Sequence, residues 1–270
     1  MPSPPPIPPA RNDSDKAAGA ALRFGAMSAP SVHATATVAA PVAAVALRTV
    51  VERHGSVLLL DPCTIQVQAG VLRADQPPLW HCGGDDSSIH LFAAAEECLA
   101  AAGLKPSQVG AYVFCDGPGS QLGIRTAAMA LRTWQALRAT PAPVFAYRSL
   151  LVAALAHAHG NPGPFAVVSD ARRDSWHAVR LAADGAATEV LRVARADLAA
   201  WPEPLLTPQG FRAWAQPPRP AGTCTYDCAA MFAALGDRAL LHPVAEPEPW
   251  LSAPITYQTW TGERHRGAAG

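Results

Sequence analysis

The sequence predicts an α/β protein of two lobes, the second smaller than the first, and three observations carry that prediction. From Ser56 onward, apolar runs of strand length alternate with longer segments of helical periodicity. Two of the apolar runs, at 57–60 and 165–168, are each followed closely by an aspartate, Asp61 and Asp170, so the pattern reads as an internal duplication. Half of the 270 residues are apolar and 16% are charged, a composition that buries a sizeable core.

Taken in order, Val57, Leu58, Leu59 and Leu60 form a continuous apolar run, as expected of a strand covered on both faces. Residues 61–64 break it, and 66–72 alternate like the return arm of a hairpin. Residues 78–82 suit a third strand. A helix is expected over 88–103, where Ile89, Phe92, Ala95, Leu99 and Ala102 recur at helical spacing and Gly103 suits the stop. Residues 109–115 read as a strand, 121–138 as an alanine-rich helix carrying Leu122, Met129 and Trp134, and 143–146 as a further strand. Three strands, a helix, a strand, a helix and a strand make one ribonuclease-H-like lobe over 56–147. A reduced second lobe with a return segment is expected over 148–262. It has a helix at 149–159, strands at 165–168, 175–181 and 188–193, and a proline-rich, less periodic stretch after Trp201.

Lys plus Arg equals Asp plus Glu, 21 against 21, so there is no global field to draw in nucleic acid or an anionic membrane. Any service to RNA is expected to run through a partner. No two of the six cysteines have the two-residue spacing of zinc knuckles or redox pairs. Cys224 and Cys228 are expected on adjacent turns of a helix without a nearby histidine, and reduced, buried thiols in a cytoplasmic protein are the reading. Residues 1–55 read as a disordered Pro/Ala-rich leader, with six prolines in the first ten positions. The stretch 34–47 resembles a signal-peptide core but begins far from Met1 and is interrupted by Pro41, and it is too short to span a membrane. An upstream start-codon choice, with the true start at Met27 or later, would explain the segment as well.

The loop Asp116-Gly117-Pro118-Gly119-Ser120 lies between a strand and a helix. Its glycines at 117, 119 and 123 do not match the dinucleotide fingerprint, and no acid follows the next strand; Tyr147 and Arg148 stand there. A Walker loop would need Gly-Lys-Ser/Thr and a nucleophile elbow Gly-x-Ser-x-Gly; neither is present. Gly117 and Gly119 permit positive φ, Pro118 sets the turn, and Ser120 is placed to cap the helix. Its free amides suit an anion, although the same residues serve as a tight connection. Arg125 lies where the helix dipole disfavours a cation, so a pairing with Asp61, Asp116 or a partner's acid is expected.

Residues 117–125, Gly-Pro-Gly-Ser-Gln-Leu-Gly-Ile-Arg, are similar to the GPGSFTGxR signature of the TsaB family and its catalytic paralogue TsaD. Residues 57–61 followed by Cys63 and Thr64 resemble that family's opening strand and Asp-Thr-Ser-Thr turn. Asp170-Ala171-Arg172-Arg173 resembles its Asp-Ala-Arg-Arg hairpin, and residues 254–257 its closing Pro-x-Tyr. The resemblance spans about 56–257 and implies two ribonuclease-H-like lobes of the actin-like ATPase type. The chain departs from the pattern at Pro62, which removes a hydroxyl and an amide from a phosphate contact, and at Gln121 and Leu122, which replace Phe-Thr.

The resemblance implies a non-catalytic subunit without a cofactor or metal. It would pair with a TsaD-like catalytic subunit through the two helices of the first lobe, with Ile89, Phe92 and Met129 on that surface and Pro118, Arg125 and Arg172 in interface or structural roles. A TsaE-like ATPase would join, tRNA would be met only through the complex, and the chain alone could homodimerise. Asp61, Thr64, Gly117, Gly119, Ser120 and Asp170 are the candidates for a nucleotide or phosphate turn. TsaD-like catalysis needs two histidines one helical turn apart, and no pair among the nine has that spacing; His157 and His159 are two apart. No His-Glu-x-x-His motif is present. The alternative is a small-molecule kinase or other ATP-dependent transferase of the same superfold, with Asp61, Asp116 or Asp170 as base.

Overall fold

The apolar run at 57–60 forms β2 (Ser56–Asp61), and its four residues are fully buried. Val57 and Leu59 enter one core while Leu58 and Leu60 enter another, as the two-residue strand period requires of a sheet covered on both faces. The computed structural model describes residues 43–84 and 86–252.

On one side β2 pairs antiparallel with β3 (Val67–Arg73), and β3 pairs in turn with β4 (Gln76–Gly83). On the other side it pairs parallel with β5 (Ala111–Gly117), itself parallel to β6 (Val144–Arg148). The crossovers are α2 (Ser87–Ala101) and α3 (Gln121–Ala136), which cover one face of the sheet. Leu91, Ala95 and Cys98 from α2 meet Ala127 and Leu131 from α3 in the core beneath. Parallel strands need such crossovers because no tight turn can reverse the chain twice.

Regular structure starts earlier than the expected leader allows. β1 (Val45–Ala46) and α1 (Leu47–His54) fall inside it, and Leu47, Val50 and Val51 are 3%, 2% and 7% exposed. The leader is thereby corrected for 45–54: these residues bury a single apolar stripe at i, i+3 and i+4, too short to stand out beside the alanine run. Residues 1–42, and with them most of that reading, lie outside the described residues. β1 pairs with β12 (Ala239–Val244), which pairs antiparallel with β6, so the first sheet runs β1-β12-β6-β5-β2-β3-β4. The first lobe thus takes strands from both sides of 56–147.

The second sheet has the order β11-β10-β7-β8-β9. Between the two sheets lies α4 (Ser149–Gly160), followed by the antiparallel pair β7 (Phe165–Asp170) and β8 (Ser175–Leu181). β9 (Leu191–Ala194) starts later than the 188–193 expected, and α5 (Arg195–Ala199) follows it. The stretch after Trp201 holds β10 (Leu205–Pro208), β11 (Ala221–Cys224) and α6 (Cys228–Leu235) before β12 returns to the first sheet. Its four-residue strands are too short to show a period. Cys224 therefore ends a strand and Cys228 opens a helix, which corrects their expected place on adjacent turns. Residues of α4, α6 and α1 share one core with Leu59, Tyr147, Val167 and Val179 from both sheets. The closing segment 254–257 lies outside the described residues, and none of the described helices is long and apolar enough to cross a membrane.

Candidate functional site: the cleft under the glycine loop

Asp61 ends β2 at 0% exposure. Its Oδ1 accepts the amide of Cys63 at 2.9 Å, an Asx-type turn that reverses the chain. Its Oδ2 accepts the hydroxyls of Tyr147 at 2.5 Å and Tyr226 at 2.6 Å, and the Cys228 Sγ lies 3.4 Å away. Burial, reinforced by the carboxylate, pushes both tyrosines well above their usual range, so they stay protonated donors. Thr64 is also buried, and its hydroxyl donates to the Gln66 carbonyl. These two candidates from the opening turn thus spend their polar atoms inside the protein.

The glycine loop rests on the same turn. Gly117 ends β5 with φ +125°, and Pro118 follows it through a cis peptide bond. Gly119 is required by proximity: a Cβ there would lie 2.6 Å from the Cys63 Cβ and 2.7 Å from its carbonyl oxygen. The Ser120 amide donates to that carbonyl at 2.9 Å, and its side chain accepts the Gly123 amide as the N-cap of α3.

The loop forms one wall of a cleft of about 520 Å³, and the turn between β7 and β8 faces it. In that turn Arg172, Arg173 and Asp174 all have positive φ, at 61°, 51° and 56°, a conformation that costs non-glycine residues roughly 1–2 kcal/mol each. Asp170 holds it. Its Oδ1 accepts the Arg172 amide at 2.7 Å, while Oδ2 accepts the amides of Trp214 and Ala215 at 2.7 and 3.0 Å. The Arg172 guanidinium lies over the Trp214 ring, 4.6 Å from its centroid.

Four arginines line this cleft, Arg125, Arg172, Arg192 and Arg212, against one acid, Asp170, whose oxygens are already engaged. The expected pairing of Arg125 with Asp61 or Asp116 does not occur. Asp61 is closed off by its tyrosines, and Asp116 is ion-paired with Arg148 and lies 3.2 Å from the His242 Nε2. Among the described residues Arg125 is exposed and meets no acid. His177 also faces the cleft, 5.6 Å from the Trp250 ring; burial and then Arg192 lower its pKa to about 4, against the opposing pull of Asp170. A neutral imidazole among guanidinium groups and indole rings suits an anionic ligand with a planar part. Among the described residues one cluster, Asp61, Cys63 and Cys115, has the donor types of a metal site.

Gly119, Ser120, Pro118, Arg125, Asp170 and Arg172 therefore meet at one cleft, whereas Asp61, Thr64 and Gly117 do not line it. Arg192, Arg212, His177, Trp214 and Trp250 escaped the sequence reading because they come from short strands and loops with no motif of their own. A second surface lies on the outer face of α2 and α3. Ile89, Phe92, Leu122 and Met129 are 70%, 45%, 63% and 57% exposed, and Phe92, Leu122, Met129 and Trp134 line a groove of about 410 Å³.

No protein-family model and no curated protein matches the sequence. Among solved structures, the chain is similar to YeaZ from Pseudomonas aeruginosa at 20% identity and a TM-score of 0.50, over 67% of this chain and 91% of that one. A protein described as similar to peptidase YeaZ from Pseudomonas aeruginosa matches at 19% identity and a TM-score of 0.49, over 67% and 90%. An Aquifex aeolicus Ppx/GppA phosphatase matches at 12% identity and a TM-score of 0.32, over 57% and 67%. At these identities the likeness speaks to architecture, and the chain has the fold of YeaZ, also called TsaB: two ribonuclease-H-like lobes of the actin-like ATPase type, the second reduced.

Proposed function

We propose that this chain is a non-catalytic, TsaB-like subunit that pairs through α2 and α3 with a TsaD-like catalytic subunit. The pair would serve threonylcarbamoyl transfer to the tRNA adenosine beside the anticodon, with a TsaE-like ATPase joining it and tRNA met only in the complex. The observation that carries this reading is the apolar outer face of the two helices, where Ile89, Phe92, Leu122 and Met129 stay exposed. Large apolar side chains clustered on neighbouring helices mark a surface that another protein covers. The YeaZ fold and the glycine-loop signature support it.

Co-expression with the TsaD of the same organism is expected to yield a co-purifying complex. Met129→Asp and Leu122→Asp, both at exposed positions, are expected to abolish it while leaving the urea midpoint unchanged. Separate elution of the wild-type chains at micromolar concentration would sink the reading. The kinase or transferase alternative is favoured by the arginine-lined cleft, but Asp61, engaged by two tyrosines, is closed to general-base work. ATP-dependent turnover of a small hydroxyl compound by the purified chain alone would favour that alternative.

A further inference from the structure

Cys63 and Cys115 lie beneath the glycine loop with their Sγ atoms 2.9 Å apart, and neither is bridged. Cys63 follows the end of β2, and Cys115 lies near the end of β5, the strand that pairs parallel with it. With Asp61 beside them, two chemistries compete for the pair, a metal ion and a covalent bond. A zinc ion bound at about 2.3 Å to two thiolates in tetrahedral geometry would hold the sulfurs roughly 3.8 Å apart, wider than they stand. Asp61 offers no idle oxygen either, since the Cys63 amide and the tyrosine hydroxyls occupy both. A disulfide bond of about 2.05 Å requires the sulfurs to approach by only about 0.9 Å.

We propose that Cys63 and Cys115 form an intramolecular disulfide, a modification site that fixes the glycine loop against the floor of the cleft. The link to the loop runs through the backbone: the Cys63 carbonyl accepts the Ser120 amide, and Gly119 packs directly on Cys63. With hydrogen peroxide as oxidant, the Cys63 thiolate, buried beneath the glycine loop, attacks one peroxide oxygen and the O–O bond breaks. The hydroxide released takes up the thiol proton as water and leaves a sulfenic acid on Cys63. The Cys115 sulfur then attacks the Cys63 sulfur, the S–O bond breaks, and a second water departs with the Cys115 proton. Two thiols lose two electrons and two protons in all, and one peroxide becomes two waters. Burial pushes both thiols up, and the Asp61 carboxylate adds to it, so thiolate is scarce and the bond forms slowly. The pair is a lock set by sustained oxidant, not a fast sensor.

The reduced full-length chain is to be exposed to hydrogen peroxide for graded times, unfolded, alkylated and mapped by mass spectrometry. The expected product is a linked Cys63–Cys115 peptide two hydrogens lighter than the separate thiols, with Cys98, Cys224 and Cys228 still alkylated. Amide exchange over 119–123 should be slower in the oxidised chain and return to its first rate with dithiothreitol. Cys63→Ser and Cys115→Ser should each abolish both effects; should either fail to fold, the wild-type chain before and after reduction supplies the same comparison. Complete alkylation of Cys63 and Cys115 after prolonged oxidation overturns the site, as does a bridge to Cys228. A linked peptide with unchanged exchange overturns the locking of the loop.

Discussion

The hydroxyl of Tyr226 donates to Asp61 in a site without water access, where the alternative to a hydrogen bond is an unsatisfied carboxylate lone pair. Tyr226→Phe keeps the ring and removes only that donor, so it is expected to cost about 1.5–3 kcal/mol, read as a lowered urea midpoint with unchanged slope. His177 makes a prediction about acid. Its unfolded imidazole takes a proton near pH 6.5, while the folded one does so only near about 4. Between those values the unfolded chain binds more protons. The contribution is fully present above pH 6.5 and is lost as pH falls toward 4. Urea midpoints measured across that window should decline, and His177→Gln should flatten the decline. Neither residue carried a local signal, because a histidine in a strand and a tyrosine before a helix look alike whether they face solvent or a carboxylate.

At the scale of elements, α3 depends on its cap. Ser120→Ala leaves the Gly123 amide without the side-chain acceptor it has now and is expected to cost about 0.5–2 kcal/mol, measurable by chemical denaturation. The role of Ser120 was legible in the sequence because capping is a local rule, as was β2, whose unbroken apolar run admits one burial pattern. Arg125 shows where local rules stop. A cation near the start of a helix does call for a counter-charge, yet the nearest acids by sequence logic were already committed to Tyr147, Tyr226 and Arg148. Those commitments join strands far apart in the chain, so no window of sequence contains them. β1 was missed for a related reason: its partner strand β12 lies almost two hundred residues away, as the pairing of Val45 with Leu241 shows.

At the scale of the whole molecule, the first lobe is completed by segments that enclose the rest of the chain. A chain beginning at Ser56 loses β1 and α1, and with them Leu47, Val50 and Val51 from the shared core. Fully burying such side chains contributes roughly 1.5–3 kcal/mol each, so the shortened chain is expected to melt well below the full one by calorimetry, or to aggregate on expression. The contacts around Asp61 have a further consequence. Tyr147 comes from the first sheet and Tyr226 from the segment between the second sheet and α6, and Gln68 binds the backbone of that same segment at Tyr226 and Cys228. A rotation of one lobe over the other would take the Tyr226 hydroxyl from the buried Asp61 carboxylate and separate Gln68 from the backbone of Tyr226 and Cys228. Those buried polar contacts tie the two sheets together below the cleft and oppose its tightening around a ligand.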